Sequence, residues 1–318
     1  MSKDIILVTG GAGFIGSHLV EKLLHHKSVE KVKVIDNFST GSYKNIEKFI
    51  GKENFEFVEG DICDAELLNK VCFDVTKISH QAALGSVPRS IEDPFSTVAS
   101  NVLGTVNLMK VAHDNDVDIV VHAFSSSTYG DLEMTPKVED KIGKPLSPYA
   151  VTKSANEDFA RVFGDIYGLD WIGLRYFNVY GTRQKPNGAY AAVIPKLTYN
   201  AIKGFPLVIN GSLDIARDFT HVSNVVDANI LALYAKRNAR NQVYNIGTGR
   251  SVKLREIVDI IKNLSNDKIT VEVKDFRAGD IMESLAAVGK ARKSLGYNPR
   301  DNKEEFILEY FRWLKSSL

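Results

Sequence analysis

Cysteine is almost missing from this chain: Cys63 and Cys72 are the only two in 318 residues, and they lack the paired spacing of a metal site. That argues against a disulfide-stapled extracellular scaffold and leaves both thiols as packing residues in a reducing compartment. Net charge is close to absent as well. Forty Lys and Arg face 39 Asp and Glu, leaving a formal +1, so no basic field is available to attract a phosphate backbone and no nucleic-acid partner is expected. Long apolar runs are also lacking. Ile5-Ile6-Leu7-Val8 is far shorter than the roughly 20 residues that cross a bilayer, and no signal-peptide pattern precedes it. The expectation is a cytoplasmic protein without a membrane partner. There is no internal repeat, low-complexity tract or obvious linker.

What the chain does have is a regular alternation in its first half of short β-branched runs and longer amphipathic stretches. This is the pattern of crossover units that feed a parallel sheet covered by helices on both faces. The spacing predicts strands near 3–9, 31–35, 55–59, 75–80, 118–123 and 170–175, with helices near 14–27, 95–114 and 148–167. The fold class is α/β: a doubly wound parallel sheet with a smaller, interleaved α/β lobe. Residues 1–177 are assigned to the sheet and 178–318 to the lobe, where Pro186, Pro195, Gly204 and Pro206 punctuate shorter elements. A helix-like stretch over 221–235 and a strand-like one over 242–246 suggest that 221–247 returns to the sheet.

Two constellations carry chemistry. Gly10, Gly13 and Gly16 fall between the first predicted strand and helix. Missing side chains there permit a tight turn, the approach of a pyrophosphate to helix-terminal N–H groups, and close helix packing. Asp36 follows Gly16 by 20 residues at the end of the second strand, where a carboxylate can bind two ribose hydroxyls. That carboxylate would repel a 2′-phosphate and has no adjacent arginine, which favours NAD over NADP. Downstream, Tyr149 and Lys153 are spaced as Tyr-x-x-x-Lys. A phenol with an ordinary pKa of about 10 needs positive charge beside it to carry a proton at neutral pH. A lysine four residues on, on one helical face, can supply it. The hydroxyls of Ser125-Ser126-Ser127 follow an apolar run and can hold a substrate alcohol for deprotonation.

Together with Asp61-Ile62 after the third strand and Asn101, these motifs resemble the extended short-chain dehydrogenase/reductase family over nearly the whole chain, and so imply a Rossmann fold. The resemblance implies that Asp61 and Ile62 flank the adenine and that Gln81, Ala82 and Ala83 line the cofactor. Phe14, Ile15, Asn37, Asn101 and Tyr176 would complete its bed. Ser125, with Ser126 beside it, occupies the position of the family's catalytic Ser or Thr and joins Tyr149 and Lys153 in a proton relay. Related 4,6-dehydratases carry an Asp-Glu pair after that residue. Ser126 and Ser127 offer no such carboxylate, so dehydration is disfavoured.

The lobe carries further matches. The segment Arg175 to Gly181 resembles that of UDP-sugar epimerases, which gives Asn178 a diphosphate contact. By the same likeness Arg217 and Arg277 clamp pyrophosphate, Asp280 binds ribose, and Val208 and Asn210 belong to a wall for uracil. The stretches 82–90 and 187–195, containing Gly85, Ser86, Ala192 and Val193, look like those of bacterial UDP-N-acetylglucosamine 4-epimerases. Small residues at Gly85 and Ser284 imply room for an N-acetyl group. The implied activity is NAD-dependent interconversion of UDP-N-acetylglucosamine and UDP-N-acetylgalactosamine, with UDP-glucose/UDP-galactose activity beside it, through a transient 4-keto sugar. A nucleotide-sugar oxidoreductase or dehydratase would differ by changing the mass of the sugar. A non-catalytic NAD-sensing or scaffolding protein would have no use for Ser125, Tyr149 and Lys153 together. Relatives commonly form homodimers through helices matching 95–114 and 148–167.

Overall fold

The computed structural model describes residues 3–186, 191–265, 269–276 and 282–318. Strand β1 (Asp4–Thr9) is buried on both faces: Ile6 and Val8 enter one apolar cluster and Leu7 the other. The same two-sided burial holds in β2 (Val29–Asp36), where Val32 and Val34 oppose Ile35. Strands apolar on both faces require helices on both. One face is covered by α1 (Phe14–Leu24) through Leu19, Val20 and Leu23. Beyond β3 (Phe55–Glu59), α2 (Ala65–Cys72) covers the other with Leu68 and Val71. Cys72 is buried with them, as a packing residue.

After β4 (Lys77–His80) the chain forms α3 (Val87–Glu92), α4 (Pro94–Val98) and α5 (Gly104–Asp114). The single helix expected over 95–114 is interrupted by a π-helical turn at Ala99–Leu103, a local widening that periodicity alone does not reveal. Strand β5 (Ile119–Ser125) runs two residues past its expected end, so that Ser125 is its last residue. Helix α6 (Pro148–Tyr167) has the signals that start and stop a helix. The Ser147 hydroxyl accepts the Ala150 N–H at 3.1 Å, Pro148 opens the first turn, and Gly168 closes it in the left-handed region at φ +70°. The first helix is shorter than expected, ending at Leu24 with His25 as its cap.

Strand β6 (Trp171–Tyr176) completes the contiguous run, followed by β7 (Val179–Tyr180), α7 (Val193–Lys203), β8 (Leu207–Asn210), β9 (Ala216–Arg217), β10 (Thr220–His221) and α8 (Val222–Leu233). Helix α8 packs beside α1 on the first face, and β11 (Gln242–Ile246) pairs parallel with β6. The main sheet therefore has seven strands in the order β11-β6-β5-β4-β1-β2-β3, and every pairing is parallel. The remaining elements are β12 (Val252–Lys253), α9 (Leu254–Leu264), β13 (Val271–Lys274), β14 (Glu283–Ser284), α10 (Gly289–Leu295) and α11 (Lys303–Ser317). Helices α7, α9 and α11 join β8 around a third apolar cluster that includes Leu197, Ile209, Ile257, Ile261 and Phe311.

A buried ion pair ties α6 to the sheet. Arg175 Nη2 donates to Glu157 at 2.6 Å, with side chains 4% and 12% exposed, and its Nη1 reaches the Tyr129 hydroxyl at 3.0 Å. Removing one partner would leave the other charge buried and unpaired. Arg175→Met is expected to lower unfolding free energy by about 3–5 kcal/mol, read as a fall in the urea midpoint; a midpoint equal to that of the wild type would contradict this.

Candidate functional site

Strand order reverses between β1 and β4, and the loops after these two strands diverge to open a crevice at their carboxyl ends. The glycine turn lies in that crevice. Gly10 sits at φ +67°, and a Cβ on it would lie 2.7 Å from the Ala82 backbone. A Cβ on Gly16 would lie 2.2 Å from the Gly10 carbonyl oxygen. Neither position has room for a side chain. Gly13 is the cap residue of α1 and supplies no side-chain acceptor, so the helix start presents backbone N–H groups and the positive end of its dipole.

A cavity of about 1190 Å³ runs from this turn. Its wall includes Gly10, Gly13, Phe14, Ile15 and Gly16, then Asp36 and Asn37 at the end of β2, and Asp61 and Ile62 after β3. Gln81, Ala82, Ala83 and Tyr176 extend it toward Tyr149 and Lys153. Asp36 is 8% exposed; one carboxylate oxygen accepts the Ala12 N–H at 2.9 Å and the other the Phe38 N–H at 2.8 Å. Each oxygen keeps a lone pair for a further donor. Burial raises the Asp36 pKa above its ordinary value, while the two N–H groups pull it back. Asn37 donates to Asp61 at 2.8 Å, bridging the ends of β2 and β3.

At the far end, Tyr149 and Lys153 occupy the first turns of α6. Lys153 is 4% exposed, its ammonium donates to the Ala123 carbonyl at 2.8 Å, and it lies 5.9 Å from the centroid of the Tyr149 ring. Desolvation lowers its pKa to about 8, opposed by the Glu157 carboxylate. Burial pushes the Tyr149 phenol above its usual value, and a hydrogen bond with Ser125 draws it down. Ser125 also accepts the Ser127 N–H at 3.2 Å and so caps the 3₁₀ turn Ser126–Tyr129. Thr128 binds the Ser125 carbonyl, whereas the buried Ser127 hydroxyl has no partner. Ser125 and Ser126 do not form the cavity wall; Ser125 reaches it through the phenol.

Asn101, expected in the cofactor bed, is fully buried and outside the wall. It sits in the π-helical turn, where its side chain accepts the Leu84 N–H at 2.8 Å and donates to Thr152 at 3.1 Å, clamping the loop after β4 to α6. Side chains that motif reading passed over act similarly. His80 joins Thr9 at 2.7 Å to Thr105 at 2.9 Å, and Asn229 links Tyr176 at 2.8 Å to Gln81 at 3.0 Å. Only the pairing of distant strands and helices brings these groups together. Lys48 and Arg183 also line the cavity, and both pair with Glu21.

Gly85, Ser86 and Ala192 stand in the wall. A Cβ on Gly85 would meet nothing within 4 Å, and Ser86 caps α3 by accepting the Arg89 N–H at 3.2 Å. Ala192 is the cap residue of α7, with no side-chain hydrogen bond, and Val193 opens that helix. Val193, Asn178, Val208, Asn210, Arg217 and Ser284 lie outside this wall. Asn178 is exposed at φ +32°; Val208 and Asn210 are in β8, which pairs with β13. Arg217 and Ser284 are register partners in β9 and β14. Arg277 and Asp280 lie outside the described residues.

Residues 7–310 match the family model described as GDP-mannose 4,6 dehydratase. A UDP-glucose 4-epimerase of Mycolicibacterium smegmatis is 36% identical over 96% of this chain and 98% of its own length. Among solved structures, a UDP-N-acetylglucosamine 4-epimerase from Methanobrevibacter ruminantium in complex with UDP-N-acetylmuramic acid is similar with a TM-score of 0.92 and 35% identity, covering 100% of both chains. A UDP-glucuronic acid 4-epimerase from Bacillus cereus, in complex with UDP-glucuronic acid and NAD, has a TM-score of 0.92 at 29% identity, covering 99% of this chain and 100% of that one. With its glycine turn, its Tyr-x-x-x-Lys helix and a match over almost its full length, this chain belongs to the GDP-mannose 4,6 dehydratase family of extended short-chain dehydrogenases/reductases.

Proposed function

We propose that this protein is an NAD-dependent UDP-hexose 4-epimerase that interconverts UDP-N-acetylglucosamine and UDP-N-acetylgalactosamine and also turns over UDP-glucose. The observation that carries this reading is one continuous cavity with the glycine turn and Asp36 at one end and Tyr149 and Lys153 at the other. The residues present fit a dinucleotide: the glycines leave no side chain against the turn, α1 offers free N–H groups, and Asp36 keeps an acceptor on each oxygen. NAD, when bound, supplies the acceptor and donor of hydride for C4 of the sugar and a second positive charge near the phenol.

The chain's own residues supply the proton chemistry. Tyr149 takes the proton of the 4-hydroxyl at its phenol oxygen, Ser125 steadies that oxygen by hydrogen bonding, and Lys153 holds positive charge beside it. Epimerisation is favoured over dehydration because the side-chain carboxylates of the described cavity wall are Asp36 and Asp61, both at the dinucleotide end. Neither is beside Tyr149 to protonate a leaving hydroxyl, and Ser126 and Ser127 follow Ser125. Open space at Gly85 supports a substrate with an N-acetyl group. The relatives above are named for three different sugars, so the parallel assay of UDP-N-acetylglucosamine and UDP-glucose decides preference.

The protein is further proposed to act as a homodimer, in the cytoplasm, with residues 1–177 and 221–247 forming the NAD-binding domain and most of 178–318 the substrate lobe. Support for the dimer comes from an apolar stripe: Phe95 is 86% exposed, Ile166 70%, and Val98, Leu103, Val151 and Phe159 are also open to solvent. Val151, Phe159 and Ile166 recur at seven- to eight-residue spacing along one face of α6. No helix among the described residues is long and apolar enough to cross a membrane.

Three outcomes are expected. Product from UDP-N-acetylglucosamine has unchanged mass and altered chromatographic mobility, and Tyr149→Phe cuts turnover by roughly two orders of magnitude or more with UDP affinity intact; a loss of water, or near-normal turnover in the variant, refutes the assignment. The wild-type solution mass is that of two chains, and Phe95→Glu with Ile166→Glu shifts it toward one; a monomeric wild type overturns the dimer. The third concerns Lys153, whose pKa of about 8 in the fold lies below the roughly 10.4 of an unfolded lysine. Between these values the unfolded chain binds the extra proton, so folding stability gains from Lys153 as pH rises from 8 to 10. In nucleotide-free protein, Lys153→Met lacks that gain, and its stability relative to wild type should decline between pH 7 and pH 10. A constant difference in urea midpoints across that range would contradict the buried charge.

A further inference from the structure

Asp218 is fully buried next to Arg217, and its carboxylate accepts from four donors. One oxygen accepts the Thr248 N–H at 2.7 Å and the Thr248 hydroxyl at 2.8 Å. The other accepts the Gly249 N–H at 2.9 Å and the Ala286 N–H at 3.3 Å. No cation is among these partners: the charge is satisfied by dipoles from two separate segments. One segment, 247–249, leaves the sheet at the end of β11; the other, 284–286, begins at the last residue of β14. Gly247 admits the carboxylate closely, since a Cβ there would lie 2.5 Å from its oxygen.

The Asp218 backbone is tied down as well. Its N–H donates to the Ser284 carbonyl at 2.9 Å, and its own carbonyl accepts from the Asn178 side chain at 3.4 Å. The Asn178 carbonyl in turn accepts the Thr220 N–H at 3.3 Å. The preceding residue, Arg217, extends its guanidinium along the Ala216 carbonyl at 2.9 Å and the Met282 carbonyl at 3.1 Å. Asp218 thus stands at one knot joining Arg217, Asn178 and Ser284, three residues contributed by distant parts of the chain.

We infer that Asp218 is a positioning residue for nucleotide-diphosphate binding: it anchors Arg217 and Asn178 against the segments 247–249 and 284–286 without touching the substrate. The inference rests on the UDP-sugar reading proposed above, and it reaches beyond it by assigning affinity for the UDP moiety to a buried carboxylate outside the cavity. An amide in its place turns one acceptor oxygen into an N–H₂ that faces groups which are themselves donors. The knot then opens at Arg217 and Asn178, whereas Tyr149 and Lys153, carried by α6, keep their places.

The test uses purified holoenzyme with its NAD, titrated with UDP and assayed with UDP-N-acetylglucosamine and UDP-glucose. In Asp218→Asn the dissociation constant of UDP and the KM of the UDP-sugar should rise roughly tenfold or more, with kcat at saturation within about threefold and NAD content unchanged. Thr248→Val, which removes one hydroxyl donor and keeps the backbone N–H, should raise both constants by roughly threefold and decides the matter if Asp218→Asn does not fold. UDP affinity equal to wild type in the folded variant, or a fall in kcat at unchanged KM, overturns the inference. A purely structural role would lower stability without this split. Wild-type enzyme that fails to bind UDP at all would instead sink the functional reading.

Discussion

The approach of two backbones, Gly10 against Ala82, is the constraint on which the rest of the structure depends. The sheet reverses its strand order between β1 and β4, so the chain leaving β1 turns into α1 while the chain leaving β4 turns toward α3. A Cβ at Gly10 would come within 2.7 Å of the Ala82 backbone, and one at Gly16 would strike the Gly10 carbonyl at 2.2 Å. With both absent, α1 begins close against the strand ends and its free N–H groups face the crevice. The cavity inherits its position from this contact: its glycine end is the turn itself, and its other end is reached along Gln81 to Ala83, which continue from β4.

The second half of the site is set by polar groups that never meet solvent. Thr9, His80 and Thr105 connect β1, β4 and α5, and Asn156 of α6 donates to the same Thr105 hydroxyl at 3.2 Å. Both His80 and His122 are buried, and desolvation drives each well below the ordinary imidazole value, His122 to about 3. They remain neutral near pH 7, which is what a buried ammonium at Lys153 requires of its neighbours, since another cation there would add like-charge repulsion in a medium that screens poorly. Lys153, lowered to about 8, changes its protonation close to neutrality. Glu157 supports that charge from one helical turn away while itself bound to Arg175, so the ion pair that fixes α6 to the sheet also biases the candidate site.

Much of this was legible from local patterning. Apolar runs located the first six strands of the sheet, and the glycine spacing and Asp36 located one end of the cavity, because a turn between a strand and a helix is a short-range event. The continuation at 242–246 was also visible, and β11 lies beside β6. Other features were hidden because they are made by residues far apart in the chain. Asn101 looked like a cofactor contact but turns inward at the π-helical turn, where its partners are Leu84 and Thr152. Asp218 carries no motif signal beyond its place beside Arg217, because its four donors come from about 30 and 68 positions downstream. Arg175 read as part of a substrate motif, whereas its side chain is spent on Glu157, Tyr129 and the Glu139 carbonyl.

On the proposed reading, the distribution of charge follows from the demands of the reaction. An enzyme that returns hydride to the face opposite the one it left must let the sugar turn, so strong ionic contacts to the ring would oppose turnover. Anchoring has to come from the invariant part of the substrate, its nucleotide diphosphate. The wall near Tyr149 fits that demand: it offers Gly85 with open space beyond it, the hydroxyl of Ser86 and the small Ala192, and no side-chain carboxylate among the described residues. Arg217 and Asn178, the side chains proposed to bind the diphosphate, are instead held in the knot around Asp218, outside that wall. Rigid anchorage at one end and a permissive enclosure at the other are compatible only if the anchor is fixed by the protein rather than by the sugar. A buried carboxylate that accepts from three backbone N–H groups and one hydroxyl meets that requirement, because every one of its donors belongs to the protein.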